Sequence, residues 1–161
     1  MFIRKAQPED FPLIRDLALA AGVHTGSVSP IRDPEEAAAH MRAHYGELGR
    51  RGLAAFPEPW GAEAWVAVDD AGELVGYLLL ATAARDDLTG EPQAYVLDVM
   101  VASHARGRRV ASRLLEQAEA QARARGLRYI GLTVATDNTP ALSLYRKLGY
   151  LEEWKRLAKR L

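Results

Sequence analysis

Apolar residues fall along this chain in two rhythms, short unbroken runs and stripes at helical spacing. Residues 2–4 are a brief apolar opening that predicts an edge strand. Pro8-Glu9-Asp10 starts a helix whose apolar positions Ile14, Leu17, Ala18 and Ala21 recur every three to four residues until Gly22. Residues 22–34 carry glycine, proline and serine and read as a loop. Asp33-Pro34-Glu35-Glu36 combines a capping carboxylate, a proline at the first helical position and a glutamate three residues after the cap. This second helix should reach about Leu48, before an irregular stretch broken by Pro57 and Pro59. Residues 64–68 and 74–82 read as strands joined by the turn residues Asp69-Asp70-Ala71-Gly72, a hairpin. Gly76 inside the second strand marks a bulge or a close backbone approach. After a polar loop over 83–92, residues 95–101 form a nearly continuous apolar run with one charge, Asp98, as in a buried central strand.

From Gly107 a long helix is expected. Its stripe is Val110, Ala111, Leu114, Leu115, Ala118 and Ala122, and Gly126 stops it. A strand over 129–134 and a helix from Asn138-Thr139-Pro140 to Gly149 follow. The segment 150–161 fits a helix by the spacing of Leu151, Trp154, Leu157, Ala158 and Leu161, but a strand by the alternation of elements before it. Strands with interleaved helices and an antiparallel hairpin predict an α/β (α+β) domain with a mixed sheet.

Composition narrows the function classes. The 161 residues fit one domain, 1–161, and 48% hydrophobic with 26% charged is ordinary for a globular chain. Lysine plus arginine and aspartate plus glutamate both number 21, so a general attraction to nucleic acid or anionic membrane is not expected. There is no cysteine, which excludes disulfides, cysteine-ligated metals and a cysteine nucleophile. No apolar leader or stretch of 18 apolar residues is present, so a cytoplasmic location is expected.

The most informative junction is 99–111, where an apolar strand turns through a polar loop into a helix. Helix amino ends carry unpaired N–H groups and partial positive charge, and both favour phosphate. Arg106, Arg108 and Arg109 add full charges, and Gly107 and Ala111 let a ligand approach the backbone. A phosphorylated ligand, most simply a pyrophosphate, is implied. A merely solvated basic helix start is the plain alternative. Neither the P-loop nor the dinucleotide-binding glycine pattern is present.

This junction resembles the acetyl-CoA signature of the GCN5-related N-acetyltransferases, R/Q-x-x-G-x-G/A after a strand. Arg106 takes its first position and Ala111 its last, while Arg109 stands where the family usually has glycine. Ile3-Arg4-Lys5-Ala6 with Asp10, the hairpin around Gly72–Tyr77, and Asn138-x-x-Ala141 with Tyr145-Arg146-Lys147-Leu148-Gly149-Tyr150 resemble the family's other elements in the same order. The resemblance implies a sheet of about six to seven strands flanked by about four helices. It implies acetyl transfer from acetyl-CoA directly to a primary amine, with no metal, and a homodimer. Arg106, Gly107, Arg108, Arg109, Val110 and Ala111 would hold the pyrophosphate. The backbone of Val99, Met100 and Val101 would line the pantetheine arm, with Asn138 and Ala141 beside it. Tyr145 would protonate the leaving thiolate.

Each assignment has a plainer alternative. Asn138 also suits a helix cap, and Tyr145 a core aromatic. Strict alternation puts Val96, Asp98 and Met100 on one face and Tyr95, Leu97, Val99 and Val101 on the other. Asp98 is then either a general base raised by burial or a structural partner for an arginine, with a water chain as the other route for the proton. His104 reads as a surface residue; His24, His40 and His44 show no metal-ligand spacing, and although His40 and His44 stand four apart on the second helix as a metal pair could, without an acidic ligand pattern an exposed or semi-exposed face suits them better. The loop 25–32, Tyr45 and Trp60 are candidates to line an acceptor site. A non-catalytic acyl-CoA-binding module is the rival reading.

Overall fold

The computed structural model describes residues 1–22, 33–154 and 157–159. Among the described residues the strands and α-helices run β1 (Phe2–Lys5), α1 (Phe11–Gly22), α2 (Pro34–Arg51), β2 (Ala62–Val68), β3 (Leu74–Arg85), β4 (Pro92–Val101), α3 (Val110–Ala124), β5 (Ile130–Leu132) and α4 (Thr139–Lys147). The strands form one sheet in sequential order, antiparallel from β1 to β4 and parallel between β4 and β5. The mixed sheet and four helices are as expected, but the described residues hold five strands rather than six or seven. No strand follows α4 among them, and Leu151, Trp154 and Leu157 are exposed.

Local chemistry explains the boundaries. Asp33 accepts hydrogen bonds from the Glu35 and Glu36 amides at 2.9 and 3.1 Å, the anticipated cap of α2, which continues to Arg51 rather than Leu48. Strands β3 and β4 each extend past the expected ends, so the polar loop shrinks to 86–91, closed by Asp86 accepting from the Leu88 and Thr89 amides. Strand β5 is shorter than 129–134 and pairs only with Ala94–Val96.

Apolar side chains cover both faces of the sheet. On one face Phe11, Ile14 and Ala18 of α1 and Tyr45 and Leu48 of α2 pack over Ala64, Val66, Tyr77 and Leu79. On the other, Val110, Leu114, Leu115, Ala118 and Ala122 of α3 pack over Val75, Leu78, Leu80 and Val96, with Leu144, Tyr145 and Leu148 of α4 against their edge. Both expectations for Gly76 hold. The β2–β3 register slips beside it, and a Cβ there would stand 2.9 Å from the Met100 carbonyl oxygen and 3.1 Å from Val110. Helix α3 therefore lies close on the sheet where its first turn begins.

Immediately before α1, Asp10 is buried. Arg4 grips it with both guanidinium arms, at 2.6 and 2.9 Å, and the Gln7 amide donates to it at 2.7 Å. The Arg4 bond outweighs burial and holds the Asp10 carboxyl below its ordinary range.

Candidate active site

Strand β4 forks away from its parallel neighbour. Val96 opposite Leu132 is the last pair, after which β4 runs on to Val101 with that edge uncovered. Hydroxyls of Tyr95 and Thr133 bond to each other at the fork. Leu97 is an extra residue at this point: Leu80 pairs with Val96 and Leu79 with Asp98. The bulge corrects the alternation expected from sequence. Val96 packs on the α3 face, while Leu97 and Met100 belong to the α1–α2 face and Val99 and Val101 return to the α3 face. Asp98 thereby sits with Leu97 and Met100, beside the open edge.

Among the described residues no arginine pairs with Asp98. Tyr45 of α2 and Tyr77 of β3 both donate their hydroxyls to its Oδ2. Burial raises the Asp98 carboxyl, and the two phenols, the Val99 amide and the charge of His44 oppose that rise. Burial likewise raises both tyrosines, with the Asp98 charge adding to it. Sequence pattern alone does not single out Tyr77. It is the one phenol in the apolar stretch 74–81, which is a weak signal.

Tyr145 lies half-buried on α4, and burial followed by the Asp98 charge raises its phenol. The structure thus brings Asp98 and Tyr145 within electrostatic reach of each other. Tyr145 packs against Tyr150, ring centroids 5.8 Å apart, and Tyr45 and His44 meet in an edge-to-face pair at 5.1 Å. Asn138 caps α4, its Oδ1 accepting from the Ala141 amide at 3.3 Å.

Beyond Val101 the chain makes a short turn of 3₁₀ helix, Ser103–Ala105, and α3 begins at Val110 rather than Gly107. Arg109 takes the cap position with φ 60 and ψ 20, the single described non-glycine residue in the left-handed region. That geometry explains why glycine suits this place, and holding an arginine there costs about 1–2 kcal/mol. Arg113 donates the first helical bond, to the Arg109 carbonyl at 3.1 Å, so the amides just before it have no helical carbonyl to meet. Arg106, Gly107, Arg108 and Arg109 are exposed, and space around Gly107 is open within 4 Å. His104 is exposed, as expected, and no metal-holding group occurs among the described residues.

A family model for acetyltransferases of the GNAT family matches residues 30–150, spanning β2–β5 and helices α2–α4. The chain belongs to the GNAT acetyltransferase family. As a GNAT protein it is an acyl-transferring enzyme whose fold binds coenzyme A and its acetyl thioester. Similar solved structures include a Pyrococcus furiosus protein described as an acetyl transferase, 26% identical, with 99% of both chains covered and a TM-score of 0.77. A ribosomal-protein-alanine N-acetyltransferase from Brucella melitensis is 18% identical with full coverage of both chains and a TM-score of 0.63. An aminoglycoside N-acetyltransferase in complex with CoA is 16% identical over 99% of this chain and 98% of its own, with a TM-score of 0.66. The last two share the GNAT fold. Among curated proteins none matches significantly.

Two acceptor-site candidates are placed and one is not. Tyr45 lies at Asp98. Trp60 is 43% exposed and rests on Phe56, beside a groove of about 550 Å³ bordered by Leu53, Phe56, Pro57 and Glu58. The loop 25–32 falls outside the described residues. No described helix is long and apolar enough to cross a membrane.

Proposed function

We propose that this protein transfers the acetyl group of acetyl-CoA to a primary amine, with Asp98 as general base and Tyr145 as general acid. The acceptor class spans small amines, amino acids and protein amines. The observation that carries the reading is the coincidence of three features along β4: an uncovered backbone edge, a carboxylate beside it, and an unpaired helix start beyond its end.

The residues present fit the coenzyme. Backbone groups of Val99 to Val101 lie past the last β5 pair, where a pantetheine arm can bond as an added strand. Amides of 107–111 and the side chains of Arg106, Arg108 and Arg109 suit a pyrophosphate. Asn138, as the cap of α4, offers its amide group beside that arm, with Ala141 small enough to leave room. When bound, acetyl-CoA supplies an activated acyl group, so the enzyme needs no nucleophile of its own. Asp98 accepts the proton of the amine as the new C–N bond forms. Tyr145 gives its proton to the thiolate sulfur as the C–S bond breaks.

The test mixes purified protein with acetyl-CoA and a panel of primary amines and follows thiol release. Turnover that falls in Asp98→Asn and Tyr145→Phe supports the assignment. Thermal stabilisation by acetyl-CoA with no turnover on any amine favours the non-catalytic binding module instead.

A further inference from the structure

Two phenols converge on a single oxygen of Asp98. Tyr45 on α2 and Tyr77 on β3 lie 53 and 21 residues from Asp98 in sequence, yet both donate to Oδ2. Tyr77 is fully buried and Tyr45 nearly so, at 0% and 9% exposure, and phenylalanine would fill either place in the apolar core. Their hydroxyls therefore serve Asp98 rather than packing. Asp98 itself stays part-buried at the fork, turned to this face by the extra residue Leu97.

We propose that Tyr45 and Tyr77 are positioning residues for acetyl transfer: they clamp one oxygen of Asp98 and leave the other to receive the acceptor's proton. The inference rests on the reading of Asp98 as base. The groups that face Asp98 are Tyr45 and the charge of His44 from α2, Tyr77 from β3, Tyr145 from α4, and the Val99 amide on its own strand. No lysine or arginine pairs with it among the described residues. A carboxylate leaving water without a cation takes up a proton early and ceases to be a base. Two phenol donors oppose the rise that burial causes without cancelling it, so the carboxyl stays above its ordinary range. They also stop the carboxylate from rotating about its strand. The amine proton moves to the carboxylate's other oxygen while the C–N bond forms and the C–S bond breaks, and it leaves to solvent once the product departs.

The experiment follows the Asp98 side-chain ¹³C resonance against pH in the full chain, assigned by its loss in Asp98→Asn. Tyr45→Phe and Tyr77→Phe should each move that titration upward by about one pH unit, since each removes a bond to the charged form. The acid limb of kcat/KM for thiol release, measured with acetyl-CoA and the fastest amine of the panel, should move up with it. Melting curves check that both variants fold, and Tyr45→Phe serves alone if Tyr77→Phe does not. A titration that stays put, or one that moves while the acid limb does not, overturns the proposal. Asp98→Asn turning over at the normal rate, or wild-type protein idle on every amine, overturns the base reading beneath it.

Discussion

Asp10 and Asp98 both leave the surface of this protein, and their neighbours send them in opposite directions. Asp10 meets a guanidinium, two matched N–H donors and a backbone amide, and its carboxyl titrates below the ordinary range. Asp98 meets two phenols and, among the described residues, no paired lysine or arginine, and burial carries its carboxyl above that range. A full counter-charge makes an aspartate a fastener. Phenol donors without a paired guanidinium leave one whose carboxyl stays above its ordinary range.

The sharpest way to break this contrast is Asp98→Asn. Loss of a general base should lower kcat for thiol release by about 100-fold or more, while stability stays within about 1 kcal/mol because asparagine still accepts from both phenols. Next comes Asp10→Asn. It strands Arg4 and the Gln7 amide and should destabilise the fold by about 2–3 kcal/mol in urea unfolding, with kcat unchanged.

Their pH signatures should be opposite. Asp10 has a lowered folded pKa, so its contribution is present above the ordinary 3.8 and is lost as pH falls through the folded value. The deficit of Asp10→Asn should therefore shrink in acid. Asp98 has a raised one, so its contribution is full below 3.8 and is lost as pH climbs through the folded value. Asp98→Asn should gain on wild type as pH rises. Two gaps that moved together would abolish the distinction between the residues.

Smaller effects sharpen it further. Tyr145→Phe should lower turnover about tenfold and leave CoA affinity by calorimetry nearly intact, separating the acid from the base. Arg109→Gly, which touches neither aspartate, should raise unliganded stability by about 0.5–1 kcal/mol and weaken CoA binding. Both aspartate signatures should survive it unchanged.

Much of this architecture is legible in the sequence because the signals are local. Asp33-Pro34 announces α2, Asn138 announces α4, and the stripe from Val110 to Ala122 lies where α3 packs. The fork in the sheet is not legible in that way. A run such as 95–101 is apolar on both faces, so nothing in it reveals that Leu97 is an extra residue and that alternation fails there. Nor can spacing show that Asp98 chooses tyrosines over an arginine, since the choice depends on contacts 53 and 21 residues away. Arg109 is an intermediate case. The resemblance marks its place as a glycine's, and only the backbone angles give the reason.

The missing side chain at Gly76 works as a spacer gauge. It lies outside the proposed coenzyme contacts, yet the carbonyl of Met100 and the side chains of Val110 and Leu114 crowd the spot where a methyl would go. Any larger residue there would lift the start of α3 off the sheet and carry the arginine turn with it. Inherited or engineered variation at this remote position would consequently surface as altered coenzyme affinity, far from where the sequence changed.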